Sequence, residues 1–112
     1  MVAKQYVPDC GDLIWLELSP QTGHEQSGHH PAIVVSPKSY NAKVGLTICC
    51  PITNQQKGYP FEVVLPKSTQ ATGVILSDQV KSLDWKKRQA QFMEKAPDSV
   101  LNETLGKIHT LL

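Results

Sequence analysis

Three histidines and a glutamate lie within residues 23–31, together with two glycines and a closing proline. Histidine is the side chain that can gain or lose a proton near neutral pH, and a carboxylate can accept one. Glycines let a backbone turn sharply or approach a ligand closely. The segment is therefore a candidate site for acid–base chemistry, and the side chains that would perform it are His24, Glu25, His29 and His30.

The same side chains raise the possibility of a zinc site, but their spacing argues against one. A helical metalloprotease presents two histidines four residues apart on one helix face. Here His24 and Glu25 are followed by Gly28, and glycines oppose a helix. We therefore expect no metal and no other cofactor. A histidine pair before a proline is also common in surface loops, and this remains the expectation for His29.

Size and charge limit the classes to which the chain can belong. Its 112 residues suit a single domain, residues 1–112, with one core. The formal net charge is +1, so a polyanionic partner would have to be bound by a local patch and not by an overall field. Residues 1–15 lack the apolar core of a signal peptide, and no apolar run reaches membrane-spanning length. We expect a soluble, cytoplasmic protein with no membrane partner.

The three cysteines do not predict a disulfide framework. Their number is odd, and Cys49 and Cys50 are neighbours in an extended segment. Adjacent residues of a strand point to opposite faces of the sheet. We expect the cysteines to be small buried side chains in a reducing compartment.

Short apolar runs bounded by glycine, proline and polar residues predict a mainly β fold. Residues 32–36 are apolar and β-branched at their centre, which predicts a central strand buried on both faces. Residues 37–45 form a polar connection with room for one helical turn, and Pro51 indicates an edge or a bulge in the strand around it. The predicted strands are 12–18, 32–36, 46–52, 61–65, 73–76, 79–83 and 89–93.

The C-terminal tail has the periodicity of a helix. Apolar residues follow Pro97 and Asp98 at spacings i, i+4, i+7 and i+11, and Asp98 is a candidate N-cap. The helix should pack one face on the strands. That face would consist of Leu101, Leu105, Ile108 and Leu112.

Several sequence blocks, in order, resemble the MazF/PemK family of toxin endoribonucleases. An ordered set of blocks is more specific than any single short motif. The blocks span nearly the whole chain: 8–15, 23–26, 31–37, 51–53, 57–65, 73–74 and 78–81. The resemblance implies a small SH3-like β-barrel with a C-terminal helix, and a homodimer. It also implies metal-independent cleavage of single-stranded mRNA and silencing by a cognate antitoxin protein.

Cleaving RNA without a metal requires a base for the ribose 2′-hydroxyl, an acid for the leaving oxygen and a cation for the phosphate. The resemblance implies that MazF-like members use an arginine before the strand-leading proline, together with a threonine in the next loop. The threonine is present as Thr53, but His30 occupies the arginine position. The exchange is not conservative, because arginine is always charged whereas histidine is mostly neutral above a pKa of about 6.5.

PemK-like members provide the other matches. The resemblance assigns His24 to the histidine of that branch and Asp78 to its proposed general base, but Leu76 stands where that branch has an arginine. The chain thus lacks both branches' arginines. Three explanations stay open: a natural site that uses histidines, a weakened or inactivated toxin, or a laboratory replacement of arginine. We favour a weakened or inactivated toxin, since a fixed charge at the phosphate stabilises the transition state.

The catalytic set expected from this resemblance is His24, Glu25, His30, Thr53 and Asp78. Glu25 or Asp78 would accept the 2′-hydroxyl proton, His30 and Thr53 would serve the phosphate and the leaving group, and His24 would supply charge or orientation. Each assignment has a simpler alternative. Glu25 is equally suited to a solvated loop charge, and Asp78 and Thr53 to ordinary turns.

RNA would be bound by a neighbouring polar and aromatic set. A cation and two aromatic rings close together could hold a nucleic-acid backbone and stack an unpaired base. The alternative for Phe61 is the core, and for Tyr59 the closing of a loop. The expected RNA-binding residues are Asn54, Lys57, Tyr59, Phe61 and Gln79.

Two other functions are compatible with the same fold. The first is a non-enzymatic toxin that poisons a protein target, as gyrase-directed relatives of the fold do. The second is a catalytically dead module that only binds antitoxin or RNA. Newly formed RNA ends with a cyclic phosphate would distinguish the nuclease from both.

Overall fold

The computed structural model describes residues 5–18 and 28–112, so the expected residues His24 and Glu25 lie outside the described part. Seven strands and two helices are present within it. The strands are β1 (Asp12–Leu18), β2 (Gly28–Val34), β3 (Leu46–Thr53), β4 (Glu62–Val64), β5 (Val74–Leu76), β6 (Lys81–Asp84) and β7 (Gln91–Lys95). The helices are α1 (Lys38–Val44) and α2 (Asp98–His109).

All strand pairings are antiparallel, which confirms a mainly β fold with a C-terminal helix. The strands follow the order β4-β5-β3-β2-β1-β7, and β6 pairs with β3 beside this path. Within the described residues the two ends of the order, β4 and β7, are not paired with each other. The sheet is therefore open, and the term barrel applies to it only loosely.

The prediction of a central strand at residues 32–36 is confirmed. Strand β2 lies between β1 and β3, and its residue Ile33 is fully buried in one core while Ala32 and Val34 belong to a second core on the opposite face. The adjacent cysteines follow the same alternation, because Cys50 packs in the first core and Cys49 in the second. Burial on both faces leaves little freedom for the centre of the sheet.

The prediction that Pro51 marks an edge or a bulge is wrong. Strand β3 is interior: one side pairs with β2, and Pro51 itself lies opposite Ala32. The other side changes partner along its length, since residues 46–49 pair with β6 and residues 52–53 pair with β5. Pro51 falls at this change of partner, where a residue without an N–H interrupts neither ladder.

Helix α2 packs against the first core, but two details of its prediction need correction. Pro97 is the N-cap and no side chain caps the helix, so Asp98 is its first residue instead of the cap. The helix ends at His109, and Leu112 is 91% exposed instead of packed. The buried residues of the helix are Val100 and Thr104.

A buried asparagine connects α1 to the chain around it. Asn41 is completely buried, and its side-chain amide donates to the carbonyls of Pro8 (2.8 Å) and Ser36 (3.0 Å). Its Oδ1 accepts from the Ser36 hydroxyl at 2.6 Å, and its own carbonyl accepts from Nε1 of the buried Trp85. Because buried polar groups must be paired, this single residue fixes three segments relative to the sheet.

Replacing Asn41 by alanine should destabilise the protein substantially. Asn41→Ala removes the donor to the carbonyls of Pro8 and Ser36 and the acceptor of the Ser36 hydroxyl proton, and each unsatisfied group costs about 1–3 kcal/mol. We expect the free energy of unfolding to fall by at least about 2 kcal/mol in urea titrations. Asn102→Ala, at an exposed position of α2, is the control and should change it by less than about 0.5 kcal/mol. Equal effects would contradict the role given to Asn41.

Candidate functional site

His30 lies within a strand and not in the loop that the sequence indicated. Strand β2 begins at Gly28, and His30 pairs with Leu16 of β1. Its side chain is exposed. The neighbouring His29 is also exposed and packs against Trp15, with ring centroids 5.9 Å apart. Pairing with β1 supplies backbone hydrogen-bond partners for this polar segment, which the local sequence did not reveal.

The register of β2 and β3, extended beyond their last observed pair, would bring His30 level with Thr53. Strands β2 and β3 pair Ala32 with Pro51 and Val34 with Cys49, so continuing this register by two residues sets position 30 opposite position 53. Residues opposite each other on antiparallel strands point to the same face. That face is the one on which Ala32 and Cys49 pack in the second core. The alternation along each strand assigns the expected histidine and threonine to this face, although the observed pairing of the two strands stops at Ala32 and Pro51.

Thr53 ends β3, and its surroundings are tightly packed. Its hydroxyl accepts from the backbone N–H of Gln55 at 3.1 Å. The next residue, Asn54, accepts through Oδ1 from the hydroxyl of Thr72 at 2.9 Å. Gly73 has φ +104, and a Cβ added there would lie 2.1 Å from the carbonyl oxygen of Thr53. This close approach of two backbones is possible only without a side chain.

Asp78 forms a cluster with Tyr59 and Phe61, apart from the surroundings of Thr53. The hydroxyl of Tyr59 donates to the Asp78 carboxylate, and the Tyr59 ring meets Phe61 edge to face with centroids 6.4 Å apart. This hydrogen bond to Asp78 is the main cause that raises the pKa of Tyr59 above its usual value of 10.0. Phe61 is half-buried and Asp78 exposed. Tyr59 thus occupies one oxygen of the carboxylate that the sequence put forward as a base.

The two clusters lie some distance apart. Strand β5 pairs its first residue, Val74, with Thr53, whereas Asp78 follows its other end. The carbonyl of Ser77 lies 3.9 Å from the sulfur of Cys50, three residues before Thr53 on β3. At about 3.3 Å per residue, this separation along the strand is about 10 Å. The structure joins Tyr59 to Asp78 by a hydrogen bond and separates Asp78 from Thr53 along the sheet, and it pairs His30 with Leu16 and Thr53 with Val74.

Glu62 is a residue of the site that the sequence reading missed. It is 7% exposed, and its carboxylate accepts from the backbone N–H groups of Lys57 and Gly58, both at 2.9 Å. These hydrogen bonds, above all the one from Lys57, lower the pKa of Glu62 below its usual 4.5. A glutamate between Phe61 and Val63 in an apolar strand was the available signal. The exposed side chain of Lys57 remains available to a ligand.

Arg88 lies closer to the histidine strand than its position in the sequence implied. Its carbonyl oxygen accepts from the backbone N–H of Glu17 at 2.7 Å. Glu17 belongs to β1 and pairs with His29. Only β1 therefore separates the backbone of Arg88, the one arginine of the chain, from His29. Gln79, also expected at the site, is exposed.

Among residues 5–18 and 28–112, no three His, Cys, Asp or Glu side chains are grouped so that they could hold a metal ion. In the same ranges, neither helix is long and apolar enough to cross a membrane.

Comparison with known proteins decides the family. Residues 9–112 match the family model described as PemK-like, MazF-like toxin of type II toxin–antitoxin system. The chain belongs to this family. It is 47% identical to the endoribonuclease toxin MazF of Escherichia coli strain K12 over 111 residues, which cover 99% of both chains. The Escherichia coli endoribonuclease PemK is 36% identical over 116 residues, covering 100% of this chain and 87% of PemK.

A solved structure of the family agrees with the fold described above. A crystal structure of MazE–MazF from Deinococcus radiodurans contains a chain that superposes with a TM-score of 0.91 and 50% sequence identity. The match covers 96% of each chain. The open seven-stranded sheet with its C-terminal helix is thus the MazF fold, and the sequence resemblance is confirmed.

Gly73→Ala should displace Thr53 in this MazF-like toxin. The new Cβ would clash with the Thr53 carbonyl, and φ +104 is strained for alanine, which together should cost at least about 1–3 kcal/mol of stability. Gly106→Ala in α2 is the matched control, because its Cβ would meet nothing within 4 Å. It should stabilise the helix by up to about 1 kcal/mol. Thermal unfolding of both variants checks this, and equal melting temperatures would refute the packing constraint.

The titration of Tyr59 should report on its contact with Asp78. With the carboxylate as acceptor, the phenol proton is held, so the pKa of Tyr59 should lie above 10.0. Asp78→Asn should return it toward the usual value, because the neutral amide removes the charge that favours the protonated phenol. Carbon NMR shifts of labelled tyrosines resolve Tyr59 from Tyr6 and Tyr40. A Tyr59 pKa unaffected by Asp78→Asn would show that the contact does not form in solution.

Proposed function

We propose that this chain is an endoribonuclease toxin that cuts single-stranded mRNA without a metal, through attack of a ribose 2′-hydroxyl on the neighbouring phosphate. The observation that carries the proposal is the 47% identity, over 99% of both chains, to a protein named as an endoribonuclease toxin. PemK, at 36% identity, is also named an endoribonuclease. A toxin that acts only by poisoning a protein target has no such support.

In the proposed mechanism, His30 and Thr53 serve the phosphate. Their support is the register of β2 and β3, which would set the two positions opposite each other if it continued by two residues past Ala32 and Pro51. Both groups can donate a hydrogen bond to a phosphate oxygen, and the imidazole can also pass a proton to the leaving oxygen. An imidazole at position 30 is a weaker phosphate clamp than a guanidinium, because arginine is always charged and offers a planar fork of donors. The chain should therefore be an attenuated enzyme.

A carboxylate, Glu25 or Asp78, would take the proton from the 2′-hydroxyl, while His24 would orient or charge the site. The hydrogen bond from Tyr59 engages one oxygen of Asp78. Ser77, the residue before Asp78, lies beside Cys50, which is about 10 Å from Thr53 along β3. Both facts favour Glu25 as the acceptor of the 2′-hydroxyl proton. Asp78 would then position the Tyr59 ring for contact with the RNA. Asn54, Lys57, Tyr59, Phe61 and Gln79 would contact the bases and the backbone of the RNA.

The proposed partners are the RNA substrate, a second copy of the chain and an antitoxin. The family is defined as the toxin component of type II toxin–antitoxin systems. The Deinococcus radiodurans relative was crystallised as MazE–MazF. An antitoxin of the MazE kind, in the same cytoplasm as the mRNA, is accordingly the expected inhibitor.

Restoring an arginine should raise the activity. We expect His30→Arg to cut single-stranded RNA at least about tenfold faster, because one well-placed donor at a developing oxyanion is worth roughly 100-fold or more. The assay follows a labelled transcript and identifies 2′,3′-cyclic phosphate on the new ends. Thr53→Val in the same background keeps the shape but removes the hydroxyl, and it should abolish most of the gain.

The outcomes distinguish the parts of the proposal. Equal rates for the two proteins would remove position 30 from the mechanism. Intact RNA with both proteins would overturn the nuclease itself and would favour a module that only binds. Cleavage that yields ends without cyclic phosphate would show that the 2′-hydroxyl is not the nucleophile.

A further inference from the structure

The segment from Lys57 to Phe61 carries a cation and two aromatic rings but has no helix or strand of its own. Its shape is nevertheless fixed by specific contacts. Gly58 adopts φ +80, and a hydrogen bond joins the backbone N–H of Glu62 to the carbonyl of Tyr59 at 3.1 Å. Backbone disorder in such a loop would cost about 1–2 kcal/mol per residue on binding a ligand. A side chain that orders the loop before RNA binds therefore improves the affinity.

The side chain that orders the loop is the carboxylate of Glu62. Its two oxygens accept separate N–H groups, Oε2 from Lys57 and Oε1 from Gly58, each at 2.9 Å. A buried carboxylate is costly unless it is hydrogen-bonded, and bonds from N–H groups to a charged acceptor are about twice as strong as neutral ones. The pair of bonds fixes both amides that precede Tyr59.

A second anchor acts on the other side of Tyr59. The ammonium of Lys107, on α2, donates to the carbonyl of Pro60 at 2.6 Å and to that of Glu62 at 3.0 Å. Glu103, one turn earlier on the helix, lies 3.3 Å from this ammonium. The segment is thus held by a carboxylate at its start and by a cation of the C-terminal helix at its end.

We propose that Glu62 is a positioning residue for RNA recognition, which holds Lys57 and Tyr59 in the conformation that binds the unpaired bases beside the cut. The inference rests on the proposed function, because it concerns the substrate of that same site. Glu62 does not touch the RNA and takes no part in proton transfer. Its loss should weaken substrate binding and relax base preference while leaving the chemical step at Thr53 largely intact.

The test variant is Glu62→Gln in the full-length chain. Glutamine has the same size but offers one acceptor and one donor group where the loop presents two donors, so one N–H loses its partner. Ser36→Ala is the matched control, because it also removes a buried side chain that accepts a backbone N–H, that of Ile48 at 2.8 Å, in another part of the fold. Lys107→Met removes the half-buried ammonium of α2 that holds the other end of the same segment. It is the second test variant, to be used if Glu62→Gln folds poorly.

Two measurements are made on each variant. Amide hydrogen exchange, followed by NMR, reports whether Lys57 and Gly58 are anchored. Sequencing of the RNA ends from one defined transcript gives the cleavage sites, and a fluorogenic RNA oligonucleotide containing the most frequent site gives KM and kcat.

For Glu62→Gln we expect exchange at Lys57 and Gly58 to accelerate and KM to rise about tenfold, as the loss of one buried hydrogen bond implies. The kcat should stay within about threefold, and the cleavage sites should become less selective. Lys107→Met should raise KM in the same direction, and Ser36→Ala should leave it unchanged.

An unchanged KM and site preference in both loop variants, with cleavage intact, would overturn the role of Glu62 but not the nuclease. A fall in kcat alone would place Glu62 in the chemistry and would equally refute a positioning role. If neither the chain nor His30→Arg cleaves RNA, the proposed function fails and the recognition role of Glu62 fails with it.

Discussion

Strand β3 is the constraint on which the rest of the structure depends, because it serves three other strands. It pairs with β2 along one edge and with β6 and then β5 along the other. Pro51 lies at the change of partner, and Thr53 ends the strand against the backbone of Gly73. Thr53 pairs with Val74 of β5 and lies against Gly73, and a reacting group needs such a fixed position, since small misplacements reduce rates strongly. The strand pairing of β3 thus fixes the position of Thr53 independently of the side chains around it.

The two parts of the candidate site are held in place in different ways. Around Thr53 the geometry comes from strand pairing, whereas the segment before Phe61 takes its shape from side chains that hold its backbone, mainly Glu62 and Lys107. Loops that read unpaired bases must present rings and donors at variable angles, which regular strands do not allow. The nearly neutral net charge fits this division, because binding then relies on local contacts.

The sequence predicted what depends on local patterns. The apolar run at residues 32–36 indicated the central strand, and the spacing after Pro97 indicated α2, although not its end before Leu112. The predictions that were wrong concerned residues whose structure depends on strands distant in the sequence. Pairing with β1 extended β2 back to His30, and the two partners of β3 made room for Pro51. Glu62 is one carboxylate in an apolar run of the sequence, and the two N–H groups that it accepts meet it only once the loop is folded.

The most direct test of the account is the structure of this protein bound to an RNA whose cleavage-site ribose lacks the 2′-hydroxyl. Such an RNA keeps its bases and phosphates but cannot be cut. The account expects the phosphate at that position to lie within hydrogen-bonding distance of Thr53 and His30, with a neighbouring base against Tyr59. RNA bound elsewhere, with Thr53 and His30 still open to solvent, would contradict it.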